Sequence, residues 1–292
     1  MHSYLRAIGF GNIKNRNELE IILEDITNNP DKKQVVAIND EDCFCELTKY
    51  YGKGIGIRIA GIYDKNNRFH LDHYFPIIKG DTPGIFEELS ITKKSSNIAF
   101  SVMCDDVRLG VILIFYLQNS VDFLKLIEEP DDYVGHRSAI LSGLSVEGKI
   151  ILPTDKTLEE IDQQRIDRNN RSKLIADARN GDEDAIESLT MEDIDTFATI
   201  SRRARHEDLY SIVDTSFYPY GAEADIYSII GNILDYVKVK NELSGEDVYI
   251  LTLESNDVLL TVGIAEKDLY GIPMVGARFK GSIWIQGKVI FE

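Results

Sequence analysis

Apolar and polar positions alternate along this chain in two distinct rhythms. Between residues 16 and 28, Leu19, Ile22, Leu23 and Ile26 recur at helical spacing. Asn15 followed by Glu18 matches a capping box, and Asn28-Asn29-Pro30 supplies a stop. The spacing therefore predicts a helix over Arg16–Asn28. The preceding stretch Tyr4–Phe10 fits either rhythm, with Gly9 and Gly11 favouring an early stop. From 34 to 117 the period falls to two, the mark of half-buried strands. Strands are expected at Gln34–Asn39, Cys43–Tyr50, Gly54–Tyr63 (Ile55, Ile57 and Ile59 on one side), Arg68–Phe75, Asn97–Cys104 and Arg108–Leu117. A helix over Val121–Glu129 and a last strand over Ser145–Leu152 complete this part.

The pattern then changes. Thr157-Leu158-Glu159-Glu160 reads as a helix start, yet Asp162–Lys173 holds Ile166 as its single aliphatic side chain. A helix so polar on all sides bridges solvent or barely holds, so a mobile join is expected, with a continuous exposed helix from Thr157 to Arg179 as the alternative. Two shorter helices follow, one from Asp182 burying Ala185, Ile186 and Leu189, the other from Thr190 burying Ile194 and Phe197. Phe217–Gly221 is an aromatic linker. Beyond it, strands are expected at Ile226–Lys240, Val248–Glu254, Val258–Ile264, Val275–Lys280 and Ser282–Phe291, with a helical turn at Ala265–Tyr270 stopped by Gly271. Gly231 is the expected bulge that lets the long first strand bend. Five strands with a helical turn between the third and fourth suggest an OB-type barrel, with an SH3-like or other small barrel as the alternative.

The expected architecture is thus α+β: an N-terminal antiparallel sheet with helices at 1–154, a helical middle segment at 155–214, and a small OB-like β-barrel at 215–292. A length of 292 residues allows two domains or one large one, and a hydrophobic fraction of 43% is that of a chain with a real core. The formal net charge of −17 opposes contact with nucleic acid and anionic membranes. The longest apolar run, Val111–Leu117, is far short of the roughly 20 residues of a membrane helix. Residues 1–6 carry no basic stretch followed by an apolar core, so no signal peptide is expected. Three cysteines are too few for a disulfide framework, and a cytoplasmic location follows.

Candidate chemistry is sparse. His70-Leu71-Asp72-His73 is the nearest approach to a metal motif. On a regular strand His70 and His73 point to opposite faces, and His70 with Asp72 gives only two ligands. Cys43 and Cys45 share a strand face but no second cysteine pair follows, so they read as small hydrophobes. Arg202, Arg203, Arg205 and His206 end a helix and complement its dipole. Tyr249, Phe279 and Trp284 lie on expected barrel strands, where aromatic side chains can stack bases, but the acidic surroundings favour core packing. Gly52-Lys53-Gly54-Ile55-Gly56 lacks the helix that a phosphate loop precedes. No metal and no cofactor is expected.

Six stretches, YLRAIGF at 4–10, ARNGDEDAIESLT at 178–190, SRRAR at 201–205, SIVDT at 211–215, FYPYG at 217–221 and VGARFKGSIWIQG at 275–287, resemble a family of uncharacterised proteins from anaerobic Gram-positive bacteria, a domain of unknown function. The resemblance spans essentially the whole chain and implies that its parts belong together. It supplies no site residue. Function is thus unknown from the sequence. A non-catalytic cytosolic binding or adaptor protein, with a possible protein partner, is the leading expectation. The alternative is an enzyme whose site lies between the N-terminal sheet and the barrel and draws on His70, Asp72, His73 or Cys104.

Overall fold

The protein is described from a computed structural model that covers residues 2–13, 15–94, 98–106, 108–128, 137–154, 158–206 and 208–291. The fold is mixed α+β. Its N-terminal part is a four-stranded antiparallel meander of β1 (Lys32–Ala37), β2 (Cys43–Gly52), β3 (Ile55–Tyr63) and β4 (Phe69–Ile78). The first helix, α1 (Arg16–Asn28), begins as its sequence dictates. The Asn15 side-chain oxygen accepts the Glu18 N–H at 2.9 Å, and the Asn15 amide donates to the Glu18 carboxylate at 2.9 Å. Leu19, Ile22, Leu23 and Ile26 are buried against the odd-numbered face of β2 and β3, beside Cys45, Leu47, Ile57 and Ile59. Ser3–Ile8 is a 3-10 turn ended by Gly9, whose φ of 88° suits glycine. The opposite face of the meander meets α2 (Ser120–Glu128) through Val36, Phe44, Ala60 and Val121.

The second sheet has eleven strands: β5 (Leu89–Lys93), β6 (Phe100–Cys104), β7 (Leu113–Leu117), β8 (Arg137–Ser145), β9 (Gly148–Ile151), β10 (Ser216–Pro219), β11 (Ile226–Lys240), β12 (Asp247–Ser255), β13 (Val258–Ala265), β14 (Leu269–Tyr270) and β15 (Arg278–Phe291). Its pairings return on themselves. Residues 232–240 of β11 pair with β12, β12 with β13, β13 with β8 in parallel, β8 with β15, and β15 with residues 226–232 of β11. Tyr227, Leu251, Val262, Phe279 and Ile283 fill one core with Leu141 of β8 and Phe115 of β7.

Several expectations are corrected here. The strands of 34–117 divide between two sheets, and β5 was not foreseen. The last two expected strands are one, β15. The remaining partner in the ring is β8, which lies before the helical segment, so the large sheet joins strands from both sides of the expected 154 and 215 boundaries. The long strand β11 does serve two neighbours, but its irregularity falls between Ile233 and Asp235, not at Gly231. Phe217–Pro219 belong to a strand, β10, paired along β11.

Between β9 and β10 stand α3 (Leu158–Arg179) and α4 (Glu183–Arg203), followed by the short α5 (Leu209–Ile212). The polar stretch 162–173 lies within an unbroken helix, the alternative reading. Arg171 ties it to α4 through Glu192 at 3.1 Å and Asp193 at 2.7 Å. The two expected short helices are one, with Asp182 capping at the Ala185 N–H, 3.1 Å away. Of the side chains expected to be buried, Ala185 is, whereas Ile186, Ile194 and Phe197 are exposed. The hairpin has no third layer against that stripe among the described residues. No helix among the described residues is long and apolar enough to cross a membrane.

Candidate functional site

The register of β4 against β3 slips at one place. Ala60 stands opposite His73 and Gly61 opposite Leu71, so Asp72 is an extra residue, a β-bulge. The bulge changes the parity of the strand. His70, opposite Ile62, and His73, opposite Ala60, fall on the same face rather than on opposite ones as a regular strand requires. They still do not converge: the exposed His70 bonds Asp64 of its own turn at 3.0 Å. The bulge instead brings Asp72 and His73 into one hydrogen-bonded chain. Asp72 Oδ2 lies 2.8 Å from His73 Nδ1 and accepts the Ile98 N–H at 2.9 Å. His73 Nε2 lies 2.7 Å from the Tyr116 hydroxyl. A carboxylate only accepts, so Nδ1 carries the ring proton and Nε2 accepts the Tyr116 O–H.

Burial decides the protonation of this chain. It lowers the His73 imidazole below the ordinary histidine range, against the opposing pull of Asp72. It raises the Tyr116 phenol well above its ordinary value. At neutral pH the imidazole and the phenol are therefore both neutral. His2, half-buried nearby, is lowered to about 4 for the same reason, ahead of an opposing attraction from Asp225. Its Nδ1 has no hydrogen-bond partner among the described residues.

His2, His73 and Tyr116 wall a cavity of about 700 Å³ between the meander and the second sheet. A cluster of aromatic side chains forms one part of the wall. Trp284 of β15 stacks on Tyr4 with centroids 5.6 Å apart, approaches His2 at 4.6 Å, and meets Tyr116 at 5.5 Å. Tyr116 packs on Phe75 at 4.7 Å. Lys94 reaches in beside them, 3.1 Å from Asp225 and 5.3 Å from the Tyr116 ring centroid. The walls are held in place by a polar seam between the sheets, in which the Gln118 amide donates to Gln286 at 2.7 Å and the Gln286 amide donates to the Pro76 carbonyl at 2.8 Å.

Of the four residues named for a site between sheet and barrel, His73 lines the cavity and Asp72 stands behind it on Nδ1, while His70 and Cys104 do neither. Cys104 is buried in the core of the second sheet, and burial pushes its thiol up to about 12; the same holds for Cys45 in the meander. Neither is a nucleophile there. Among the described residues no three His, Cys, Asp or Glu side chains converge as metal ligands. Arg202, Arg203, Arg205 and His206 are exposed at the end of α4, and Gly52 and Gly54 form the β2–β3 turn. Tyr249 and Phe279 are core residues, whereas Trp284 belongs to the cavity wall. Tyr4, Lys94, Tyr116 and Asp225 were not foreseen. Tyr4 lies in the first 3-10 turn, Tyr116 in β7, and Lys94 and Asp225 in loops, and no local spacing links them.

No curated protein and no solved structure matches this chain. A family model matches it over residues 5–287, nearly its full length. The chain therefore belongs to the family described as "Domain of unknown function, E. rectale Gene description (DUF3881)".

Proposed function

We propose that this is a cytoplasmic small-molecule-binding protein and that the cavity between its two sheets is the ligand site. The observation that carries this reading is the composition of the wall: the rings of Tyr4, Phe75, Tyr116 and Trp284 stand with a few convergent polar groups, His73 (backed by Asp72) and the Lys94–Asp225 pair. Concave ligand sites are built in this way, and their usual volume of roughly 300–1,000 Å³ brackets this one. Glu223 and Asp225 add carboxylates against the single ammonium of Lys94. An aromatic ring bearing a hydroxyl or protonated amine suits such a lining. Free cysteines and an acidic chain support the location, and the charge opposes binding of long nucleic acids.

Trp284 is the single tryptophan, so intrinsic emission reports on the cavity alone. Titration with tyramine and with p-cresol is expected to change it saturably, and Asp225→Asn to weaken tyramine more than p-cresol. The reading fails if neither probe changes emission up to millimolar levels and native mass spectrometry of freshly purified protein finds no bound small molecule.

A catalytic reading has one observation in its favour, the Asp72–His73–Tyr116 chain, in which a neutral imidazole is placed to take the phenol proton. Tyr116→Phe separates the two: a binding site keeps its shape and loses a hydrogen bond, whereas acid–base chemistry on a bound substrate stops.

The ring of strands we read as an OB-like barrel. The shared strand β11 and the parallel pair β13–β8 in an otherwise antiparallel ring support this. In that reading β8 serves as the fifth strand, so the barrel is circularly permuted relative to one built from 215–292 alone, and the helical segment 155–214 is an insertion.

A further inference from the structure

On the face of β15 that also carries Trp284, four residues along the strand, two lysines are forced together. Lys149 of β9 stands directly opposite Lys280 of β15, and Tyr270 of β14 stands opposite Lys149. Like charges directly opposite on neighbouring strands oppose their pairing. Among the described residues neither ammonium forms an ion pair. Both turn to one phenol: Lys280 donates to the Tyr210 hydroxyl and lies 4.4 Å from its ring centroid, and Lys149 lies 4.5 Å from the same centroid. Tyr210 is fixed there by Arg278, a buried guanidinium that donates to the carbonyls of Tyr210 at 2.6 Å, Val213 at 2.6 Å and Leu152 at 2.9 Å. The fold thus spends a buried arginine to hold a ring against two cations that repel each other.

The next register row continues the same face. Ser282 of β15 is opposite Ser228 of β11, which is opposite Tyr218 of β10, and the Ser228 hydroxyl donates to the Tyr218 hydroxyl at 3.1 Å. Together with Tyr220 these residues line a groove of about 560 Å³. Tyr218, Tyr220 and Tyr270 are 48%, 55% and 82% exposed. Two carboxylates also line the groove, Glu147 and Asp268, and Asp268 is taken by the Arg6 guanidinium at 2.6 Å. With Asp268 held by Arg6, the groove sets two lysines against one remaining carboxylate, Glu147, beside exposed aromatic faces.

We infer that this groove binds a phosphorylated small molecule with a planar ring, of the mononucleotide class, its phosphate between Lys149 and Lys280 and its ring on the exposed tyrosines. An anion there relieves the repulsion that the apo protein carries, and tyrosine faces stack bases without reading their edges. The groove and the cavity share no lining residue among the described residues.

Isothermal titration calorimetry on the full chain tests this, with adenosine monophosphate, adenosine and inorganic phosphate as probes. The monophosphate is expected to bind at least about tenfold more tightly than adenosine, with an affinity that falls as salt rises. Lys149→Gln with Lys280→Gln is expected to weaken it about tenfold or more, and Tyr270→Ala with Tyr218→Ala to weaken it while leaving the heat of inorganic phosphate unchanged. Without any ligand, Lys149→Gln alone is expected to raise the melting temperature, since a repulsive pair is removed; this readout does not depend on the probe chosen. The inference is overturned if the monophosphate and adenosine bind alike, if the double lysine variant binds as the parent does, if only a single-stranded oligonucleotide binds, or if Lys149→Gln lowers the melting temperature.

Discussion

Tyr4 and Trp284 stack at 5.6 Å with their planes 29° apart, joining the first turn of the chain to its last strand. Truncating either ring opens the cavity wall that both form. Tyr4→Ala is expected to cost about 1–3 kcal/mol of stability, from lost burial and the lost ring pair. It is also expected to move Trp284 emission to longer wavelength. Urea unfolding followed by that emission measures both; an unchanged midpoint and an unchanged spectrum would show that the N-terminal turn is not seated on the tryptophan.

Glu46 gives a pH signature of one sign. It is 2% exposed, accepts the Ser120 N–H at 3.1 Å at the start of α2, and lies 3.9 Å from Arg58. Burial, ahead of the attraction of Arg58, holds its carboxyl above the ordinary carboxylate range. The folded protein then keeps a proton that the unfolded chain releases, so this group's contribution falls as pH rises through the raised value. Glu46→Gln has no proton to release and is expected to remove that decline. Its urea midpoint should match the parent's in acid and equal or exceed it at neutral pH. A midpoint that trails the parent's by the same margin at every pH counts against this account.

The cavity histidines act in the opposite sense. His2, lowered to about 4, and His73, also lowered, bind fewer protons folded than unfolded below the ordinary value of 6.5. Their contribution is complete above about pH 6.5 and is lost as pH falls toward the lowered values. Thermal unfolding from neutral pH down to about pH 4 is expected to show a smaller loss for His2→Gln than for the parent. Equal losses in the two proteins would mean that His2 is charged in the folded state.

The helical hairpin should be removable. Its flanks meet where the Thr154 hydroxyl donates to Asp214 at 2.8 Å, so the segment leaves and rejoins the second sheet at one point. Replacing residues 158–206 by a short glycine-serine linker is expected to shift the melting temperature by no more than a few degrees while lowering helical circular dichroism. Within the hairpin, Phe197→Ala, at 75% exposed, is expected to change stability by under about 0.5 kcal/mol. Loss of cooperative unfolding on excision would show that the hairpin is part of the core.

How far the sequence carried the fold depended on the range of the interaction that fixes each element. The helix at Arg16–Asn28 was legible to the residue because its cap, its stripe and its stop lie within fifteen or so neighbours, on the scale where local signals act. The two-neighbour role of β11 was legible from its length. The membership of β8 in the ring was not, since the pairing that places it, Leu260 with Leu141, spans the helical segment. The exposed stripe Ile186, Ile194, Phe197 has the spacing of a buried face, and periodicity does not say whether a neighbour exists to cover it. At the cavity, His73 was noticed and its geometry misjudged, because one extra residue at Asp72 reverses the parity on which the strand argument rests. Tyr116, Lys94 and Asp225 carried no signal at all; they become neighbours only once two sheets face each other.

The strand β15 pairs with β11, β8, β9 and β7. During synthesis every one of those partners leaves the ribosome before it does. The ring stays open, with β8 and β11 each offering an unpaired edge, until translation has passed Phe291. A ribosome that stalls anywhere in the last fourteen or so codons of that strand therefore releases a chain with exposed edges of the kind that invite aggregation. For this protein the step from sticky intermediate to closed fold waits on β15, and chaperone demand should peak just before that strand is available.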